Sequence, residues 1–454
     1  MFDVLVRGAH VITAGRLARA SVAVTGETIA GLLDPSLDVP AALVIDAHGL
    51  VVLPGLVDAH VHLREPGYAW KEGFETGTMA AAAGGVTTVM VMPTDNPPTL
   101  TPEDFEAKTR LATGAAHVDF ALQAGVVGGR DRVEELARLG AVSFELFLAD
   151  APPSLLAGDG GEVLEIFRRI EAIGGVAGVT PGDDGIVRAA TASLASEGPF
   201  DPRSFAWSRP PIGETLGVAR ACLLAAEAGV RVHLRQVSCR GAVDVLRAAR
   251  ARGGRVSAEV TPHNLLLTED ELARQGPYAK VTPPLRAAAD LECLWEALQD
   301  GTIDMIATDH APHLPEEKDA GREDIRLAPG GLPGLQTLLP LMLDQVARGR
   351  WSLMDVARTC AEAPARGFGL YPRKGAVLPG SDADLVLVDT ARRETIDNAA
   401  QLSRARITPF ASWTVMGWPV LTMLRGRVVM REGKIEGPPR GRLVTPCVRG
   451  QSPG

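Results

Sequence analysis

Two histidines one residue apart, His60 and His62, follow an apolar run, Leu50 to Leu56, that Pro54 and Gly55 interrupt. Residues two apart on a strand face the same side. Both imidazoles can therefore converge on one point, as two ligands of a transition metal do. Arg64 has the same parity and continues the row, and Pro66 and Gly67 turn the chain into a loop. A lone His-x-His is common by chance. A second polar exit lies far downstream, where apolar Met305 to Ala307 give way to Thr308, Asp309, His310 and His313. A carboxylate at a strand end can bind a metal and also accept a proton from water that the metal activates. A buried salt bridge is the structural alternative for Asp309. Two such exits, one early and one late, predict a shared metal site at His60, His62 and Asp309.

The elements that must position these residues alternate. Strands are expected at Gly85 to Met92, His117 to Val127, Ala141 to Leu148, Val176 to Thr180, Val230 to Val237 and Arg255 to Val260. Between them lie helical stretches such as Lys71 to Gly84, Pro102 to Ala112, Arg130 to Leu139, Glu162 to Ala172, Thr215 to Ala228, Ala242 to Ala251 and Asp290 to Leu298. Strand and helix alternate about eight times over roughly 300 residues, the pattern of an α/β protein built as a (β/α)8 barrel of the TIM type. Function in such barrels sits at the C-terminal strand ends, where His60, His62 and Asp309 fall, on strands one and eight. Those strands become neighbours when the barrel closes. Residues 1–54 and those after 370 have β texture instead, so a barrel over 55–369 and a small composite β-domain from 1–54 and 370–454 are expected. Gly437 to Gly454 reads as a poorly packed tail.

At 454 residues, with 46% hydrophobic and 22% charged residues, the chain has ample core. A net charge of -9 without basic clusters argues against nucleic-acid binding. Cys222, Cys239, Cys293, Cys360 and Cys447 are scattered and odd in number, which points to reduced thiols and a cytoplasmic location. The N-terminus lacks a signal-peptide layout, and no apolar run reaches membrane-spanning length.

These residues sit in longer motifs. HVHLREPG (60–67), GTMAAAAGGVTTVMVMP (77–93), RPPIGE (209–214), EVTPHNLLLTE (259–269), TPPLR (282–286), ATDHAPH (307–313), GLPGLQT (331–337), GSDADLVLVD (380–389) and TPFASWTVMG (408–417) run nearly end to end. The chain resembles the dihydroorotase, allantoinase and hydantoinase branch of the amidohydrolase superfamily. HLREPG, TPPLR and the C-terminal region look most like dihydroorotase, whereas WKEGF (70–74) is closer to allantoinase. The resemblance implies hydrolysis of a cyclic amide or imide, with a metal that activates water and polarises the carbonyl. Asp309 would shuttle the proton to the leaving nitrogen. Arg64 would bind a substrate carboxylate, and His313 would contact the substrate edge.

The sequence departs from that family in one direction. The family holds two ions bridged by a carboxylated lysine, and Glu145 occupies the lysine position here. Histidines that complete the second site are replaced by Thr180 and Gln236. The expectation is one divalent ion, Zn2+ or another divalent metal, held by His60, His62 and Asp309, with Glu145 close enough to join. Substrate contacts are altered too: Thr94 and Thr282 replace asparagines that would grip the ring, Asn96 lies nearby but offset, and Gln336 replaces a frequent Glu. The sequence-based expectation is a dihydroorotase-like cyclic amidohydrolase acting as a homo-oligomer. The alternatives are an allantoinase or hydantoinase-like enzyme, and a silent assembly partner of aspartate transcarbamoylase.

Overall fold

The computed structural model describes residues 1–128, 130–195 and 201–447. Its barrel strands are, in order, Leu56–Val61, Val86–Val91, Asp119–Leu122 continued by Ala124–Gly125, Phe144–Phe147, Val176–Thr180, Arg231–Leu234, Val256–Val260 and Met305–Ile306. Each pairs in parallel with the next. A parallel bridge between Val61 and His310 closes the ring. Strand one thus lies beside strand eight, and residues about 250 apart in sequence meet at one rim. The third strand breaks at Gln123, its two halves pairing with different neighbours.

Local sequence explains the joints. Thr101 caps the helix Pro102–Ala112 in a box with Asp104, and Pro102 opens it where a missing N–H costs nothing. Gly140 and Gly229 end the helices Val133–Leu139 and Pro211–Ala228 in the left-handed conformation that favours glycine. Helix Pro211–Ala228 starts four residues earlier than the sequence suggests, because Pro211 is a tolerated first-turn residue.

Both ends of the chain build one sheet. Its strands run Lys434–Ile435, Arg427–Arg431, Thr414–Leu424, Leu385–Thr395, Val51–Pro54, Phe2–Thr13, Arg16–Thr25 and Thr28–Leu33, with Ala41–Asp46 beside Phe2–Thr13. The N- and C-terminal portions join where Val51–Pro54 lies antiparallel to Leu385–Thr395, with Val52 opposite Leu387. The (β/α)8 barrel with a composite β-domain is the architecture expected from the alternating pattern.

The sheet is tied to the barrel by a buried charged joint. Lys374 Nζ lies 2.5 Å from Asp119, 2.8 Å from Asp382 and 2.7 Å from Asp384, and Arg425 pairs with Asp119 as well. Asp119 opens the third strand, so this joint sits at the end of the barrel away from the His60 rim. The C-terminal segment corrects one expectation. Gly441 and Val444 donate to the carbonyls of Ala116 and Phe120, Phe120 donates back to Arg442, and Val444 is buried. An edge of the third strand is available there, and the segment uses it, so residues 441–447 are packed. Residues 448–454 of the expected tail lie outside the described residues. Among the described residues, no helix is long and apolar enough to cross a membrane.

Candidate metal centre and its pocket

His60 is the penultimate residue of strand one, and His62 follows it by two residues on the same face. Asp309 follows strand eight. One ligand atom from each of the three lies within 4.8 Å of the others, an arrangement that could hold a metal ion. His62 Nε2 is 3.0 Å and His60 Nε2 3.3 Å from the same Asp309 oxygen, Oδ1. The opposite ring nitrogens are already committed. His60 Nδ1 donates to Glu259 Oε1 (2.5 Å), and His62 Nδ1 is bonded to Thr94 Oγ1 (2.6 Å). A neutral His60 therefore turns an Nε2 lone pair toward a carboxylate lone pair. Such an array repels itself unless a proton or cation is shared within it. Gln236 donates to the other Asp309 oxygen, Oδ2, at 2.5 Å. Arg64, Gln236 and Asp309 all have positive φ, 60°, 52° and 48°, sparsely populated backbone for such residues at three strand exits around one point.

The electrostatics suit a cation. Burial pushes the His60 imidazolium down, yet Glu259 and Asp309 together outweigh it and raise His60 above its ordinary value. Burial dominates at His62 and lowers it to about 4. Burial also pushes Asp309 up, but His60 and His62 hold it below the usual carboxylate range.

Beneath the rim the barrel interior carries charge where branched apolar residues are usual. Arg235, fully buried, pairs with Glu145 (Nη2 to Oε1, 2.7 Å) and Glu259 (Nη1 to Oε2, 3.0 Å). His233 Nε2 also bonds Glu259 Oε2 at 2.9 Å. Glu145 further accepts from Ser143 Oγ at 2.6 Å. Burial opposes ionisation of Glu259, but Arg235 and His60 hold it well below the ordinary range. Glu145 is therefore not in the His60, His62 and Asp309 group, contrary to the sequence-based expectation. It bends across strand five at Gly178, where a Cβ would overlap its carboxylate, and both its oxygens are taken.

Above the rim lies a cavity of about 350 Å³, roomy enough for one small ring. His60, His62, Arg64, Thr94, Thr282 and Asp309 are among the residues that line it. Arg64 is half-buried. Its polar partners are neutral: Pro312 O at 3.3 Å and His313 Nε2 at 3.0 Å. His313 reaches the pocket through Arg64, and burial beside Arg64 pushes its imidazolium far down. Thr94 holds His62, so its hydroxyl serves the metal group. Asn96 is exposed and lies outside the lining; its N–H donates to Pro66 O and its backbone packs on Gly67. The motif residues Arg209, Glu214 and Arg286 form the far wall, with Arg209 paired to Asp150 and Arg286 to Glu214. Sequence reasoning passed over Arg235, Glu259 and Gln123. Their signal was polar residues spaced by two within apolar strands: Ser143 and Glu145, His233 and Arg235, Ser257 and Glu259.

Known proteins align over nearly the whole chain. Residues 49–242 match the family described as dihydro-orotase-like, and residues 212–429 match the amidohydrolase family. An L-hydantoinase from Paenarthrobacter aurescens is 37% identical over 439 residues, 96% of each chain. An allantoinase from Rubrobacter xylanophilus is 39% identical, covering 98% of each chain. A dihydroorotase from Bacillus cytotoxicus is 37% identical over 86% of this chain and 90% of its own. Among solved structures, an L-hydantoinase (dihydropyrimidinase) from Arthrobacter aurescens superposes with a TM-score of 0.95 at 36% identity, covering 98% of this chain and all of the other. A dihydropyrimidinase from Brevibacillus agri gives 0.93 at 28% identity over the full length of both.

Proposed function

We propose, from the premise that the chain belongs to the amidohydrolase family in its dihydro-orotase-like branch, that this cyclic amidohydrolase acts on a ring bearing a carboxylate, as a dihydroorotase does. The observation that carries the reading is Arg64. It is a guanidinium lining the pocket with no carboxylate partner among the described residues. The other two pocket arginines, Arg209 and Arg286, each have one. A planar guanidinium pairs best with a carboxylate, through two parallel N–H donors, and the substrate would supply it.

His60, His62 and Asp309 would hold one divalent ion, zinc in our reading. When bound, it would acidify its water and polarise the scissile carbonyl. The protein's own groups do the rest. Glu259 and Thr94 fix the two imidazoles, and the Gln236 amide fixes Asp309 through Oδ2. Asp309, ionised beside the histidines, can take a proton and return it to the leaving nitrogen. Thr282, on the pocket wall, would border the ring.

A hydantoinase or allantoinase activity is the second reading, supported by relatives of those names at equal or higher identity than the dihydroorotases. The enzymatic reading is preferred to a silent partner of aspartate transcarbamoylase because the metal group keeps all three members and their fixing partners. We further propose a barrel over 55–369 and a composite domain over 1–54 and 370–454. A homo-oligomer is supported by the apolar side chains Ile212, Leu216 and Leu223 exposed along one helix. A cytoplasmic setting is supported by five free cysteines. The test is hydrolysis of dihydroorotate, hydantoin and allantoin by zinc-loaded protein. Dihydroorotate turnover with the highest kcat/KM is expected. Turnover of a neutral ring alone would overturn the carboxylate reading.

A further inference from the structure

In the family this chain resembles, position 145 carries the carboxylated lysine and positions 180 and 236 the histidines around a second ion. Here those positions are Glu145, Thr180 and Gln236, and Glu145 faces a side chain of the protein itself. We propose that the Arg235 guanidinium is a built-in substitute for the second ion: a fixed internal cation that neutralises Glu145 and, through Glu259, orients His60. The inference rests on the metal reading above.

The geometry supports a structural cation of high definition. A guanidinium has five N–H donors in a rigid fork. Arg235 uses five contacts: Nε to Glu145 Oε2 (3.2 Å), Nη1 to Ala59 O (3.0 Å) and to Glu259 Oε2 (3.0 Å), Nη2 to Glu145 Oε1 (2.7 Å) and to Gln123 Oε1. It is fully buried immediately after strand six, one residue before Gln236. Strands one, three, four and seven each give it an acceptor. Those acceptors converge on it from four sides of the barrel, as ligands converge on an ion. Gly178 leaves the space that lets Glu145 reach it. Glu259 is shared: one oxygen takes Arg235 and His233, the other takes His60 Nδ1. Arg235 thereby acts on the metal group as a positioning residue, by holding Glu259 aimed so that His60 Nε2 points at Asp309. Guanidinium stays protonated and cannot exchange with solvent, so this charge is permanent where an ion's would depend on supply.

The test counts ions on apo protein reloaded with excess Co2+ and desalted, by elemental analysis and by the visible Co2+ spectrum. Wild type should retain one equivalent. Arg235→Met leaves Glu145 and Glu259 uncompensated and should take up a second equivalent, with a second set of Co2+ bands. Arg235→Lys, which keeps the charge, should return to one. Arg235→Met combined with Glu145→Gln removes a charge and its counter-charge together. It should fold and hold one ion even where the single variant is too unstable to purify. Two equivalents on wild type would overturn this inference alone. So would a single equivalent with an unchanged spectrum on Arg235→Met. No retained ion on any of the proteins would overturn the metal reading and this inference with it.

Discussion

Two buried acidic groups sit at opposite ends of the barrel, and each has the makings of a metal site: His60, His62 and Asp309 at one end, Asp119, Asp382 and Asp384 at the other. They differ in what fills the middle. The three aspartates surround Lys374 Nζ, within 2.8 Å of each, and Arg425 backs Asp119. The protein has closed that group with its own cations. Among the described residues Asp309 has no lysine or arginine within ion-pair distance. The buried Arg235 guanidinium is spent on Glu145 and Glu259. A buried carboxylate needs a counter-charge. Where the chain supplies it the group is a rivet, and where it does not the group is available to an ion.

The largest effect is expected at the open end. Asp309→Asn keeps the shape but removes the charge that both imidazoles face. A fall in kcat of about 10²- to 10⁴-fold is expected, with metal retained less tightly. Wild-type turnover in that variant would contradict the role of Asp309. At the closed end, Lys374→Met strands the buried carboxylates of Asp119 and Asp384 and the half-buried one of Asp382. Loss of one partner of a buried pair costs about 3–5 kcal/mol, read by denaturant unfolding. Added Ca2+ should recover part of that loss in the variant and do nothing for wild type. No response to Ca2+ would mean that the two groups differ in more than their central cation.

Within the pocket the next largest effect is expected at Arg64. Arg64→Met should raise KM for dihydroorotate about 10- to 100-fold, the worth of a charge-assisted pair of about 1.5–3 kcal/mol, while leaving KM for hydantoin nearly unchanged. Equal losses on both rings would remove the specific role. A smaller effect tests the converse case, a buried cation without a carboxylate. Lys318 is fully buried, its Nζ donating to the carbonyls of Lys280 and Pro329. Burial, aided by Lys280 and Arg64, lowers it from 10.5 to about 7. Between those values the unfolded chain binds the extra proton, so this group's contribution to stability grows with pH and is lost as pH falls toward 7. Relative to Lys318→Met, wild type should gain on the order of 1 kcal/mol per pH unit between pH 7 and 9. Unfolding curves at both pH values check the sign.

The same contrast explains what could be read from sequence. The barrel was legible because period-two and period-3.6 apolar patterns alternate, and closure then dictates that strands one and eight meet. That His60, His62 and Asp309 meet was legible because all three lie at strand exits, where one residue's parity decides its direction. Glu145 was assigned by its position in a family pattern, and position does not say which inward neighbour a side chain meets. Its partner Arg235 lies 90 residues away, and nothing local marks the pair except polar residues of the right parity. Asn96 failed for a similar reason: the turn after strand two carries its backbone against Gly67, away from the pocket. The C-terminal segment misled because its Pro, Gly and Arg content hides strand-edge hydrogen bonds that only the third strand could offer.

One ion per chain is expected, at His60, His62 and Asp309. Diffraction from zinc-soaked crystals, collected on both sides of the zinc absorption edge, tests it most directly. One anomalous peak per chain is expected, bounded by His60 Nε2, His62 Nε2 and Asp309. A second peak beside Glu145, or a peak among Asp119, Asp382 and Asp384, would contradict the account.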